Sequence, residues 1–527
     1  MSDSIAKSYD ELPYESHFNL LSHPDRLASM ASLFGLEAPP PARCRVLELG
    51  CGVGGNLLCT AQSLPESEFV GIDLSPRQIA DGRAMADGLG LKNVTQKAMS
   101  LMDVGTDFGE FDYILCHGVY SWVPEAVQAR ILEIGAQHLA PRGVFYLSYN
   151  VYPGWHQRAV AREAMRYHTR HLTDPLERVK RGRQFLDFLA ASTIPPNTPY
   201  SLALQQEIDL LKKVSDTYVF HEHLEDENRP VYFHELAERA AGVGLQYLSA
   251  AWFNLLEASV PPQVRASLDG FADDRIGREQ YLDLILNRTF RQSLLCRQSA
   301  PVRPSPSAEA IPGLLFTAMS QPESAAPDLV SGQPEPFLTM SGDRVNIDSP
   351  RIKAAIVALN ALWPRSAGFE ALRRESLALL GHRGDEAVAD AEADRRQFAE
   401  MLLQAVTSTL IEPHVHEPAV ATEPGERPRV TPMARQQAGS GVKVVNLRNG
   451  FALLRDLDRL IVPMLDGTRD RGALESTLLE MTLGGQIHLR HEGQPITDPD
   501  ILRPMLEEQV EATLRRLVGE ALLLPSV

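Results

Sequence analysis

The sequence lacks most features of secreted, membrane-spanning and nucleic-acid-binding proteins. It has only 5 cysteines in 527 residues, no two of them form a C-x-x-C pair, and most lie on or near predicted buried strands, so they are expected to be reduced, packed thiols. No apolar run is long enough to cross a bilayer. The net charge of −17 argues against a nucleic-acid backbone as the main partner, because phosphate binding needs clustered lysine and arginine.

The N-terminus has no basic region followed by an apolar one, so no signal peptide is expected and the sequence predicts a cytoplasmic protein. A content of 44% hydrophobic and 23% charged residues is ordinary for globular proteins. The length predicts about three or four domains.

Residues 45–73 predict a buried strand, a glycine turn, a helix and a second strand that ends in an acid. Gly50, Gly52 and Gly54 or Gly55 allow a tight turn and close approach of a ligand to the N-terminus of the helix. Asp73, at the end of the second strand, can bind ribose hydroxyls. The spacing also matches the dinucleotide motif G-x-G-x-x-G, so a nicotinamide cofactor stays open at this point.

Glu48 distinguishes the two cofactors. Its carboxylate would lie beside a pyrophosphate in a dinucleotide site, whereas it suits a ligand without phosphate and with a cationic methionine end. The sequence therefore favours S-adenosylmethionine. The predicted cofactor-binding residues are Glu48, Gly50, Cys51, Gly52, Asn56, Asp73, Leu74, Met99, Ser100 and His117.

Further strands near 94–97, 111–116 and 144–149 alternate with helical stretches. Ser75 and Pro76 are an N-cap and a first-turn proline, which predicts a helix directly after the second strand. The alternation predicts an α/β fold with right-handed crossovers and a mostly parallel sheet.

Aromatic loops follow the fourth and fifth strands, at 117–124 and 148–156. In such a sheet ligands bind beyond the carboxyl ends of the strands, so both loops should flank one pocket. An amine must be neutral to attack a methyl group, and an apolar channel favours the neutral form. Tyr120, Trp122 and Asn150 are the predicted acceptor-site residues, although each aromatic side chain can equally belong to the core.

Two histidine-containing sequences have alternative interpretations. His117 is either a general base or a ring that packs over the adenosine and bonds only the backbone. His221-Glu222-His223 resembles part of a metal site, but without further ligands at a known spacing a structural role is favoured, and no metal is predicted.

The chain resembles class I methyltransferases that carry a methyltransferase regulatory domain, a family that includes the rickettsial protein lysine methyltransferases acting on outer membrane protein B. The resemblance covers about residues 5–300 and lies in the segments 9–14, 47–52, 117–124, 149–155, 221–225, 230–233 and 287–292. It implies a protein substrate methylated on lysine, and an N-terminal lid in which Tyr14 folds over the cofactor.

The alternation of strands and helices predicts the sheet, and the resemblance implies that it is a Rossmann-like methyltransferase sheet followed by a regulatory domain and by additional helical and winged-helix-like domains. Proline-rich stretches separate the later domains. The predicted divisions are a lid (1–43), a cofactor domain (44–160), a helical connector (161–214), a regulatory domain (215–300), a linker (301–349), a winged-helix-like domain (350–415), a second linker (416–442) and a helical module (443–527). A fragment ending near Ala300 is accordingly expected to fold alone.

Two other functions remain open at the level of sequence. A small-molecule methyltransferase would have the same cofactor motifs, but it rarely needs so large a C-terminal half. A non-catalytic cofactor-binding regulator with DNA-binding winged helices is disfavoured by the acidic charge. A homodimer is possible.

Overall fold

The computed structural model describes residues 18–526 except 193, 194, 196, 254–259, 269, 383–390, 489, 492, 493 and 497. Its largest element is a seven-stranded sheet. The strands are β1 (Arg45–Leu49), β2 (Glu68–Asp73), β3 (Val94–Ala98), β4 (Phe111–Cys116), β5 (Leu139–Asn150), β6 (Leu245–Ala250) and β7 (Phe290–Arg297). Their order is β3-β2-β1-β4-β5-β7-β6. β1 to β5 are parallel, and β7 runs antiparallel to both β5 and β6. The predicted α/β, Rossmann-like sheet is confirmed.

The crossover helices follow their sequence signals. After α1 (Pro24–Leu33) come α2 (Gly55–Ser63), α3 (Pro76–Gly88) and α4 (Glu125–His138). Ser75 caps α3, since its hydroxyl accepts the Gln78 N–H at 3.1 Å. β5 begins at Leu139, earlier than the predicted start at 144. Its pairing with β4 shifts register between Phe111 and Tyr113, and Pro141 lies in this irregular stretch, where it need not donate a ladder hydrogen bond.

Alternate strand residues point to opposite faces of the sheet and form two separate cores. On one face, Val46 and Tyr113 pack with α1 and with apolar residues between 311 and 411. On the other face, Leu47 and Ile114 pack with α4 and with the helix that follows residue 232. Both faces are covered, as expected for a mainly parallel sheet.

Helices inserted between β5 and β6 form a layer beside the sheet. They are α5 (Gly154–Thr169), α6 (Pro175–Ser192), α7 (Pro199–Leu211) and α8 (Asp216–His223). All four contribute to one apolar cluster, which includes Met165, Leu186 and Phe220. α9 (Phe233–Gly242), α10 (Pro262–Leu268) and α11 (Arg275–Leu286) accompany the last two strands of the sheet. Residues 215–300 therefore complete the sheet as well as adding helices to it.

Residues 301–349, predicted as a linker, are structured, and that prediction is corrected. They contain β8 (Leu315–Ala318), β9 (Ser320–Pro322), β10 (Glu335–Thr339) and β11 (Arg344–Ile347). Phe316 and Phe337 are fully buried in the cluster that also contains the sheet residues Val46 and Tyr113. The prolines lie among short strands, and the buried aromatic residues outweigh them. Residues 18–300 thus lack part of their own core.

Two further groups of elements complete the chain. The first contains α12 (Pro350–Leu362), β12 (Ala367–Gly368), α13 (Phe369–Leu379), α14 (Ala391–Thr407) and β13 (Ile411–His414), with β8 between β12 and β13 in one sheet. The second contains α15 (Pro432–Ser440), β14 (Lys443–Val445), β15 (Phe451–Leu453), α16 (Asp456–Ile461), α17 (Arg471–Leu483), β16 (Arg490–His491), β17 (Gln494–Pro495) and α18 (Pro499–Gly519). α15 lies within the predicted second linker and contacts α2, where Met433 donates its N–H to Gln62 at 2.9 Å.

A buried carboxylate fixes α1 against β13. Asp25 accepts hydrogen bonds from His414 Nδ1 and from the N–H groups of Val415 and His416, each at 2.8 Å. Burial acts to raise the pKa of Asp25, but the charge and hydrogen bond of His414 outweigh it and hold the pKa at about 2. This anchor places residues 18–22, just before α1, over the carboxyl end of the sheet.

Among the described residues, no helix is both long and apolar enough to span a bilayer.

Candidate active site

A cavity of about 760 Å³ opens at the carboxyl ends of β1 to β5. All ten predicted cofactor-binding residues line it. Of the three predicted acceptor-site residues, Trp122 and Asn150 line it as well. Tyr14 lies outside the described residues. Side chains from α5, α8 and the start of β7 close the cavity at the β5 side, and these were not predicted: Arg158, Tyr218, His221, Glu222, Thr289 and Phe290.

The glycine turn has a backbone that other residues would strain. Gly50 and Gly52 have φ angles of +72° and +55°, a region that glycine enters without steric cost. A Cβ at Gly50 would lie 2.5 Å from Val119, and one at Gly52 would lie 2.8 Å from Gln78. The turn therefore leaves space for a ligand where side chains would otherwise fill the cavity.

Glu48 is a buried carboxylate with one oxygen available. Its Oε1 accepts the Asn56 side-chain N–H at 3.0 Å, while its Oε2 has no hydrogen-bond partner among the described residues. Burial raises its pKa to about 7, against the hydrogen bond from Asn56 and with a further contribution from Asp73. An orphaned carboxylate oxygen in a cavity wall suits a cationic group of a ligand.

Asp73 is held in place by the backbone of two turns. Its carboxylate accepts the N–H of Gly52 and the N–H of Ser75, each at 2.9 Å. Leu74, Met99 and Ser100 continue the wall on this side. A fixed carboxylate beside the glycine turn fits the predicted contact with ribose hydroxyls.

Asn19 links the segment before α1 to this site and was missed by the sequence analysis. Its backbone N–H donates to Asn56 at 2.9 Å, and its side-chain amide donates to the Tyr146 hydroxyl at 2.9 Å. His117 Nδ1 lies 3.0 Å from the same hydroxyl. Burial lowers the pKa of His117 to about 4, so the ring is neutral at pH 7 and its Nδ1 is already engaged. This geometry favours a packing role over general-base catalysis.

Tyr120, predicted as an acceptor-site residue, lies in the core instead. It is fully buried, and its ring packs edge-on against Tyr149 at 6.1 Å between centroids, in the core and outside the cavity wall. The residues Tyr120–Trp122 form a 3-10 turn, in which successive side chains point about 120° apart. Trp122 consequently faces the cavity while Tyr120 faces the core, so Tyr120 is corrected to a core residue.

The histidine pair near α8 is split between two carboxylates. His221 Nδ1 lies 3.1 Å from Glu225, and His223 Nε2 lies 2.7 Å from Glu207. No cluster of three or more histidine, cysteine or acidic side chains suited to a metal occurs in the described part of the chain. His221 and Glu222 line the cavity, and His223 is fully buried.

Three family models match the chain. They are described as a methyltransferase domain (residues 47–145), a predicted methyltransferase regulatory domain (215–297), and a PKMT C-terminal winged helix domain (426–522). The winged-helix model matches residues that the sequence analysis assigned to a linker and a helical module, whereas the winged-helix-like prediction was made for residues 350–415.

Similar proteins cover nearly the whole chain. An uncharacterised protein of Rickettsia prowazekii is 31% identical over 523 residues, which are 98% of this chain and 93% of the relative. The solved structure of PKMT2 from Rickettsia typhi has a TM-score of 0.85, with 27% identity and coverage of 97% of this chain and 100% of that one. A second structure of PKMT2 contains AdoHcy, with 28% identity and the same TM-score.

AdoHcy is the product that S-adenosylmethionine leaves after methyl transfer, and the residues of this cavity fit such a ligand. Glu48 offers an unpaired oxygen, and the glycine turn leaves space for the nucleoside. The cofactor is S-adenosylmethionine. The chain belongs to the class I S-adenosylmethionine-dependent methyltransferases with a regulatory domain, and it is similar to the rickettsial PKMT proteins along its whole length.

Proposed function

We propose that this protein transfers methyl groups to lysine side chains of a protein substrate. The observation that supports this most is the similarity to PKMT2 over 97% of the chain, including the C-terminal modules. A small acceptor would need only the cavity, whereas a protein acceptor needs surface around it on which to be oriented.

The cavity fits this chemistry. S-adenosylmethionine, when bound, supplies a methyl group on a cationic sulfur. Asp73 and Glu48 would hold the two polar ends of the cofactor, and the neutral His117 would pack beside it. Trp122 and Asn150 form the wall at the β5 side, where an apolar ring favours a neutral amine. Methyl transfer requires mainly positioning and exclusion of water, which these side chains provide.

The test uses the whole chain, methyl-labelled S-adenosylmethionine and a protein extract from cells that lack this protein. We expect label on protein, and methyllysine in the digested protein by mass spectrometry. Asp73→Ala, with its weakened cofactor binding, is the control in which labelling should fall. Label confined to the ultrafiltrate would show a small-molecule acceptor, label on a different amino acid would refute lysine specificity, and AdoHcy binding without any transfer would support a regulator.

A further inference from the structure

Glu222 is a carboxylate in the cavity wall that neither the sequence motifs nor the cofactor explain. It lies in the last turn of α8, and Tyr218, one turn earlier on the same helix, lines the same cavity. Glutamate is costly to bury without a partner. Its presence in a cavity wall therefore calls for a ligand or a neighbour that binds it.

The chain after α8 ties this helix to the acceptor side of the cavity. Arg229 donates its backbone N–H to the carbonyl of Ser121 at 2.8 Å, and Val231 donates to the carbonyl of Asn150 at 3.1 Å. The Asn150 side chain also donates to Asn228 at 3.1 Å. Glu222 thus stands on the wall that is attached to the loops after β4 and β5, away from the cofactor-binding ends of β1 to β3.

The cations near Glu222 are engaged elsewhere. Arg158 donates to Glu207 at 3.1 Å and to the Tyr218 hydroxyl at 3.3 Å. Arg162 donates to backbone carbonyls at the end of α8, including that of Glu222 itself at 3.3 Å. Among the described residues no hydrogen-bond donor reaches the Glu222 carboxylate. The group is therefore available to a ligand that enters the cavity.

The surroundings also set the proton affinity of this carboxylate. Burial raises the pKa of Glu222 to about 7; the charges of Arg158, Arg162 and His221 oppose the rise, and that of Glu207 adds to it. A carboxyl group with a pKa near neutrality can both bind a cation and accept a proton. An ammonium group that is to be methylated must first be bound and must then lose a proton, because its nitrogen can attack a methyl group only when it is neutral.

We propose that Glu222 receives the ammonium group of the methyl acceptor and takes up its proton, with Trp122 and Tyr218 lining the same subsite. This inference rests on the proposed function, because it requires an amine acceptor. The ammonium gives one proton to the Glu222 carboxylate and becomes a neutral amine. The nitrogen lone pair then forms the N–CH₃ bond while the electrons of the C–S bond return to sulfur, and the proton on Glu222 leaves to water.

The test needs no known protein substrate. It compares two AdoHcy analogues in which nitrogen replaces sulfur: one carries an aminobutyl arm and the other a butyl arm. Calorimetry on the full chain gives the affinity for each analogue and for AdoHcy itself. The variants are Glu222→Gln and, as the matched control, Asp226→Asn, which removes the same charge from a side chain that is 91% exposed.

We expect the wild type and Asp226→Asn to bind the aminobutyl analogue about tenfold to a hundredfold more tightly than the butyl analogue, as one charge-assisted hydrogen bond allows. Glu222→Gln should lose this preference and keep its AdoHcy affinity. Equal affinities for both analogues in the wild type, or a preserved preference in Glu222→Gln, would overturn the subsite. A lost preference in Asp226→Asn would attribute the effect to general charge and overturn it too. Absence of methyllysine with an intact preference would refute the proposed function alone.

Discussion

Glu48→Gln should stabilise the cofactor-free protein while weakening cofactor binding. Glu48 is 4% exposed, and the pKa of its carboxyl rises from 4.5 to about 7 because burial disfavours the charged form. At about 1.4 kcal/mol for each tenfold change in the proton equilibrium, ionised Glu48 costs the folded state roughly 3 kcal/mol. Glutamine removes this cost, although its NH₂ group then lacks an acceptor and costs about 1 kcal/mol or more.

The direction in which the stability gain of Glu48→Gln changes with pH shows whether the gain comes from removing a buried charge. A carboxyl with a raised folded-state pKa contributes stability below its unfolded value of 4.5 and loses it as the pH rises to about 7. The stability of Glu48→Gln relative to the wild type should therefore increase across this interval and stay constant above it. The net gain above pH 7 is about 1 to 2 kcal/mol after the unpaired amide is included.

Urea denaturation across this pH interval measures the gain, and calorimetry with AdoHcy measures the loss of affinity, expected at about tenfold or more for one charged contact. Glu68→Gln is the matched control, because Glu68 lies on the neighbouring strand with 71% of its side chain exposed, and its effect should be within about 0.5 kcal/mol. A wild type that is more stable than Glu48→Gln at every pH would refute the reasoning, as would a difference that does not vary with pH.

Four further outcomes are expected. Asp73→Ala should weaken AdoHcy binding by about 1 to 3 kcal/mol in calorimetry, since charge-assisted bonds to the ribose are lost. Trp122→Ala and Asn150→Ala should slow methyl transfer in a label assay and leave AdoHcy affinity nearly unchanged. The stability advantage of the wild type over His117→Asn in urea should shrink as the pH falls from 6.5 to about 4. In this interval the ring takes up a proton in the unfolded chain but stays neutral in the folded one, which favours unfolding of the wild type. A fragment ending at Ala300 should be insoluble or unfold without cooperativity in circular dichroism, contrary to the expectation from sequence, because it lacks residues of the shared core.

Each of these has a result that would count against it. Unchanged AdoHcy affinity in Asp73→Ala would refute the assignment of the glycine turn. Equal loss of binding and rate at Trp122 or Asn150 would place them in the cofactor pocket, and Tyr120→Phe serves as the control that should affect neither. A pH-independent His117→Asn difference would show that folding does not lower the pKa of the ring, and a soluble, cooperative fragment would show that the sheet does not need residues 308–411.

The cofactor end of the cavity was predictable because its signals are local. Gly50, Gly52 and Asp73 lie within one strand-turn-helix-strand unit, so their spacing alone determines their relative positions. The end of the cavity beyond β4 and β5, where we propose that the acceptor binds, was only partly predictable. Tyr120 and Trp122 are two residues apart, and a 3-10 turn, which the aromatic pattern does not reveal, sends one to the core and the other to the cavity.

Contacts between distant parts of the chain could not be predicted, because no local spacing in the sequence indicates them. β7 pairs with β5, Asn150 against Phe290, across about 140 residues. Asn19 reaches Tyr146 in the same way. The proline content of residues 301–349 led to the wrong prediction of a linker. The buried Phe316 and Phe337 instead pack this stretch on the sheet.

The two ends of the cavity have different structural origins, and this has a functional consequence. The cofactor end is formed by turns of the sheet itself, where changes in backbone geometry are poorly tolerated, as at Gly50. The end where we propose that the acceptor binds is closed by α5 and α8, which are inserted between β5 and β6 and share an apolar cluster with α6 and α7. Substitutions on α8 can therefore change which acceptor is bound without disturbing the cofactor site. We propose that Glu222 on α8 receives the acceptor's ammonium group, so exchanging Glu222 should alter acceptor choice before it alters AdoHcy affinity.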